Sequence, residues 1–315
     1  MNVARLISFF LCLCLMPYLS TGQTWCAALA KSYVDADTNS FSVESLIANP
    51  SSLSSQSRAI LLTRFAECRA FRPQLRTLLD SRSREDLLRA ALDANPSYSP
   101  ALCNLAMNVG SKETGRFCRQ WFDANTNNSL PHYLIGIEQL KMGHVAEGMR
   151  FVISGNAKPH AYYETVFNEL AHQSAGCAFT KQEADIAQAE AEVLSMFNIL
   201  PLGQRVSGLL ENKRLVSSLS CSNLIQLSIM CDQLAVSEPH ETANVHGFVR
   251  VSSAFLNRLK SGCDSMSGNM LDLTSEILAR NKLMVRDTKG KLAMPEAWWN
   301  ETAGFIASTS KRAGK

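Results

Sequence analysis

The chain has 315 residues, 46% of them hydrophobic, and its 31 Lys and Arg against 28 Asp and Glu give a formal net charge of +3. That length accommodates about two domains or one elongated array. Near-neutral charge argues against a nucleic-acid partner, which needs a concentrated basic face to displace counterions. The one local excess, Lys311, Arg312 and Lys315 in a tail over 311–315, reads as a solvated basic end.

The first element is a leader. Arg5, an apolar run from Leu6 to Leu15, Pro17 and the small residues Ser20, Thr21 and Gly22 follow the order of a secretory signal peptide over residues 1–22, with cleavage expected after Gly22. Losing Arg5 lowers the net charge to +2. The run is shorter than the roughly 20 apolar residues a spanning helix needs. Neither Cys14 nor Cys26 has the preceding small residue of a lipid-attachment site. The expectation is a periplasmic or secreted protein with no stable membrane anchor after cleavage.

Beyond the leader nearly every segment has helical spacing, so the expected fold class is all-α. Helices are predicted over 25–35 and 58–71 in an N-terminal region (23–82), then over 84–94 and 100–109. Asn49-Pro50, Arg72-Pro73 and Asn95-Pro96 act as stops, because the residue before Pro is pushed out of the α region. Ser83 with Asp86 and Thr180 with Glu183 carry the capping-box spacing that marks a helix start. A C-terminal region (173–310) offers helices over 183–198, 223–236, 244–260, 271–284 and 296–306. Leu224, Leu227, Cys231 and Leu234 share one face of the second of these. Pro295 suits a first helical turn, with Trp298 and Trp299 just inside as core anchors.

Residues 129–162 hold Pro131, Tyr133, Ile135, Gly136, Gly143, Glu147, Gly148, Gly155 and Pro159, with small residues where paired helices touch, Gly at a turn and Pro at the end. This stretch resembles a tetratricopeptide unit. Upstream, Leu88 to Pro96 resembles the end of one unit and Ala101 to Ala106 the start of another, so the resemblance spans 83–172. It departs from the family pattern at Leu102, His132 and Leu140, where aromatic residues are usual, and in the register of Gly110 and Gly115 against Gly143 and Gly148. The resemblance implies stacked antiparallel helical hairpins, an α-solenoid whose first helices line a concave surface. It places Asn104, Asn108, His132, Tyr133 and Gln139 on that surface.

Eight cysteines lie beyond the leader: Cys26, Cys68, Cys103, Cys118, Cys177, Cys221, Cys231 and Cys263. An even number in an exported chain suggests disulfide staples, although eight cysteines allow 105 pairings. Cys221 and Cys231 on one helix lie about 15 Å apart along its axis, beyond the roughly 7 Å limit for bonded cysteines. Cys103 and Cys118 flank the 110–115 turn of an expected hairpin. The pairing read from these positions is Cys26–Cys68, Cys103–Cys118, Cys221–Cys263 and Cys177–Cys231. No cysteine pair has the spacing of a zinc knuckle, and no metal or other cofactor is expected.

No nucleophile elbow, phosphate loop, zinc-protease helix or dinucleotide fingerprint occurs. His132, His144, His160, His172, His240 and His246 form no catalytic constellation, and the pairs Glu138/Glu147 and Glu164/Glu169 read as solvated helix faces. Asn127-Asn128-Ser129 and Asn300-Glu301-Thr302 are glycosylation sequons that matter only in a glycosylating pathway. The sequence therefore points to an exported module or assembly scaffold that binds a protein or peptide partner. The alternatives are a secreted helical enzyme acting on cell-wall or surface glycans, and a secreted effector or structural component.

Overall fold

The computed structural model describes residues 53–71, 83–108, 111–173, 179–237 and 243–262, with short pieces at 29, 272, 275–277, 279, 285–286 and 292–293. The described elements are α1 (Ser55–Phe71), α2 (Arg84–Ala94), α3 (Ser99–Asn108), α4 (Ser111–Ala124), α5 (Leu130–Lys141), α6 (Val145–Asn156), α7 (Val166–Gln173), α8 (Lys181–Glu211), α9 (Lys213–Ser218), α10 (Cys221–Val236) and α11 (Ala243–Gly262). The one strand pair is β1 (Val285–Arg286) with β2 (Leu292–Ala293), antiparallel, with Val285 opposite Ala293. The described fold is helical, with consecutive helices packed in pairs. The leader, the helices expected over 25–35 and 296–306, the Trp298-Trp299 pair and the sequon at Asn300 fall outside the described residues.

The chain folds into two compact units, one of residues up to Asn104 with Glu164–Ala191, the other of Leu105–Tyr163 with the residues from Glu192 onward. Helices α3 and α8 contribute residues to both. In the first unit α1 packs on α2, and α1 also touches α7. The start of α2 is fixed as its sequence predicts. Ser83 Oγ accepts from the Asp86 N–H (3.1 Å) and Asp86 Oδ2 accepts from the Ser83 N–H (2.9 Å), a reciprocal closure of two orphan donors. Thr180 and Glu183 make the same pair of bonds before α8.

The second unit is built around the hairpin of α5 and α6, with α4 against α5, α10 against α6 and α11 against α10. Gly143 makes the α5–α6 turn at φ +84°, a left-handed conformation that costs glycine nothing. Gly136 and Gly148 face each other across the hairpin, and their missing side chains let the backbones touch. A Cβ on Gly148 would lie 2.9 Å from the Gly136 carbonyl oxygen and 2.7 Å from Leu140 Cγ, and one on Gly155 would collide with the Tyr133 ring. On α10, Leu224, Leu227, Cys231 and Leu234 are all buried, as their spacing predicts.

Three expectations are corrected. Cys68, Cys103, Cys118 and Cys231 are buried thiols, so Cys26–Cys68, Cys103–Cys118 and Cys177–Cys231 are not formed. Cys103 Sγ accepts the Glu164 N–H at 3.3 Å, and burial pushes the Cys118 and Cys231 thiols well above the usual range. Cys221 is disulfide-bonded, and Cys263 lies outside the described residues. Second, residues 111–115 of the expected turn are helical: Gly115 sits inside α4 with open space beside it. Third, the helix predicted to end at Asn198 runs on through Pro201 to Glu211.

The glycine contacts give opposite expectations for two alanines. Gly148→Ala should destabilise the chain by about 1–3 kcal/mol through overpacking, whereas Gly115→Ala, on an open helix face, should be neutral or stabilise by up to about 1 kcal/mol. Urea unfolding of the two variants checks this.

Candidate functional site

The segment entering α5 is held by one side chain. Asn128 Oδ1 accepts the Leu130 N–H (3.1 Å) and the Tyr162 N–H (3.3 Å), while its Nδ2 donates to the Tyr162 carbonyl (2.8 Å). Ser129 Oγ donates to the His160 carbonyl at 2.7 Å. These bonds tie the start of α5 to the segment leaving α6, closing the unit on itself.

Tyr133 is fully buried on α5. Its hydroxyl lies 2.8 Å from Asn156 Oδ1 and within hydrogen-bond reach of Gln233 Oε1 on α10. Asn156 Nδ2 in turn donates to the backbone and side-chain oxygens of Gln226 (2.9 and 2.8 Å), and Gln233 Nε2 donates to the Lys158 carbonyl (2.7 Å). Three helices thus share one buried polar network, in which every satisfied partner fixes the register of α10 on the hairpin. Burial drives the Tyr133 phenol well above its ordinary pKa, so it serves as a neutral hydroxyl.

One residue before Tyr133, His132 is packed edge-on against Phe122 of α4 (ring centroids 4.5 Å) and tilted against Phe151 of α6 (6.4 Å). Lys158 Nζ stands 5.2 Å from the Phe122 ring, and the Arg150 guanidinium 5.3 Å from the Phe151 ring. Phe122, Phe151 and Lys158 are half-buried and Arg150 is exposed. The result is an aromatic strip across three helices, edged by two cations. His132 Nε2 is buried with no protein partner. Burial, and after it the Lys158 charge, lowers the imidazole pKa to about 4, so the ring stays neutral near pH 7.

No family model, curated protein or solved structure matches this chain. Its chemistry is therefore read from its own residues. Among the described residues no group of three or more His, Cys, Asp or Glu side chains is placed to hold a metal ion, and no helix is long and apolar enough to cross a membrane.

The five residues expected to share a binding surface are not brought together as one. Asn104 belongs to the first unit and is fully buried, with Nδ2 donating to the Pro100 carbonyl at 2.9 Å and Oδ1 accepting from Arg84. Tyr133 and His132 are buried too. Asn108 remains exposed, donating to Asn198 Oδ1 at 3.2 Å, and Gln139 is half-buried beside His144 Nδ1 at 2.8 Å. Glu164, read as solvated, is buried and accepts from Ser99. Glu138 is half-buried between Lys141 (3.6 Å) and Arg205 (3.5 Å). The sequence reading missed Phe122, Phe151, Arg150 and Lys158. Their only signal is the recurrence of an aromatic residue on successive helices, and which rings meet depends on how those helices pack.

Two expectations follow. Tyr133→Phe removes the one O–H that the Asn156 Oδ1 and Gln233 Oε1 acceptors share and should cost about 1–3 kcal/mol in urea unfolding. Because the folded pKa of His132 is depressed below the unfolded value near 6.5, its contribution is complete above pH 6.5 and is lost as pH falls through 4. Between pH 7 and pH 4 a His132→Phe chain should lose about 3 kcal/mol less stability than the wild type.

Proposed function

We propose that this chain is an exported helical-repeat protein that acts as a protein–protein interaction module or assembly scaffold. The observation that carries the reading is the α5–α6 hairpin. Gly136 and Gly148 in backbone contact, Gly143 at the turn and Gly155 under Tyr133 occupy the positions that a tetratricopeptide-like unit uses to bring its two helices close and stack on the next. The docking of α10 on α6 and of α11 on α10 supports a continued stack. Export is supported by the leader over 1–22 and by the disulfide at Cys221, since disulfides persist in oxidising compartments.

The surface assigned to the partner is the strip of Phe122, Phe151, Arg150 and Lys158. Aromatic and Arg side chains dominate binding energy at interfaces because they combine large buried area with directional polar contacts. Here both rings are already half-exposed and both cations sit over them, so a partner segment gains area without first unfolding the unit. Gln139 and Asn108 are the remaining accessible residues of the original set.

The test is affinity purification of the tagged mature chain from its own envelope or medium, beside an Arg150→Ala/Phe151→Ala chain. A co-purifying protein retained by the wild type and weakened at least tenfold by the double variant is the expected result. Equal retention of every partner, or a tagged protein that stays in the cytosol with residues 1–22 attached, contradicts the reading.

A further inference from the structure

The first unit buries a charge arrangement that the proposed binding role does not use. Arg64 and Glu67 on α1 are each 1% exposed. Arg64 donates through NH2 to Glu190 Oε2 of α8 at 2.6 Å, and its NH1 lies 3.9 Å from Glu67 Oε2. Glu67 Oε1 accepts the N–H of Val166, the first residue of α7, at 3.0 Å. The groups facing Glu67 among the described residues are Arg64 on α1, Arg84 at the start of α2, the Val166 N–H on α7 and Glu190 on α8.

The arrangement is unbalanced. Arg64 makes its short, charge-assisted contact with Glu190 and stands off from Glu67, while the other cation, Arg84, donates to Asn104 Oδ1. With a proton on Glu67, Arg64 keeps its short contact with Glu190 and the neutral carboxyl still receives the Val166 N–H through its carbonyl oxygen. Without it, the Glu67 charge is held out of water beside a guanidinium whose short contact is with Glu190, at high cost.

We propose that Glu67, Arg64 and Glu190 form a proton-dependent clasp that holds the start of α7 on α1, shut when Glu67 carries a proton and loosened when it does not. Burial raises the Glu67 carboxyl to about 7, against the opposing pull of Arg64, the Val166 N–H and Arg84 and with a further push from Glu190. The sign follows from that direction. A carboxyl raised above its unfolded value of 4.5 favours the closed form fully below pH 4.5, and the advantage drains away as pH rises through 7. The clasp is therefore tight in mild acid and weak in mild base, opposite to the usual salt-bridged carboxylate. It also sits at a joint: α7 is short and touches α1, and Glu67 is a bond that crosses from one to the other.

Amide exchange of the full mature chain, corrected for the intrinsic pH dependence of exchange, reads the clasp at Val166–Gln173. Opening there should increase at least about tenfold between pH 5 and pH 8 in the wild type. Glu67→Gln, which keeps an oxygen for the Val166 N–H and cannot ionise, should make the profile flat. Glu190→Gln, which frees Arg64 to neutralise Glu67, should shrink the increase. A wild-type profile no steeper than that of Glu67→Gln overturns the proposal, as does a Glu67→Gln chain with the full wild-type rise. Should Glu67→Gln not fold, Glu190→Gln decides alone: a reduced rise supports the clasp and an unchanged rise overturns it.

Discussion

The second unit depends on one close approach, the contact between the backbones of α5 and α6 at Gly136 and Gly148. A methyl group at either position would strike the opposite carbonyl, so the absence of side chains there sets the helix spacing. Everything around the hairpin is arranged for that spacing. Tyr133 lies over Gly155 because no Cβ holds its ring away, and only in that position does its hydroxyl reach both Asn156 and Gln233. The docking of α10 is thus a consequence of three glycines on two other helices.

The same spacing produces the aromatic strip proposed to meet a partner. With α5 drawn against α6, His132 is carried between Phe122 and Phe151, and the two rings flank the imidazole while staying half-buried. A neutral imidazole is the residue this gap tolerates, since a charged ring beside Lys158 would be doubly penalised, by lost hydration and by like charge. The order of cause runs from glycine to helix spacing, from spacing to ring packing, and from ring packing to a rigid aromatic strip. Preorganisation of this kind lowers the entropic cost of association.

Local signals were legible in the sequence wherever the chemistry is short-range. The Ser83–Asp86 and Thr180–Glu183 boxes are made as their spacing implies, α2 spans the predicted 84–94, and the apolar stripe of α10 is buried. Signals failed where distant residues decide. The helix expected over 183–198 does not stop at Asn198, since α8 continues through Pro201 to Glu211. Gly115, expected at the end of a hairpin turn, lies inside α4 with open space beside it. Cys103 and Cys118 pair in the sequence by their symmetry about 110–115, but both are buried thiols and 111–115 is helix. The aromatic strip and the Arg64–Glu67–Glu190 cluster join residues far apart in the chain, so neither leaves a pattern that spacing can reveal. His132 and Tyr133, expected on a binding surface, are both buried in the packing of the second unit.

Native-state hydrogen exchange across the second unit tests this account most directly, because a structure built on one contact opens as one block. The account predicts that the amides of α5, α6 and α10 share the highest protection and lose it together in rising denaturant. If α10 keeps its protection after α5 and α6 have exchanged, the hairpin contact is not what the unit rests on.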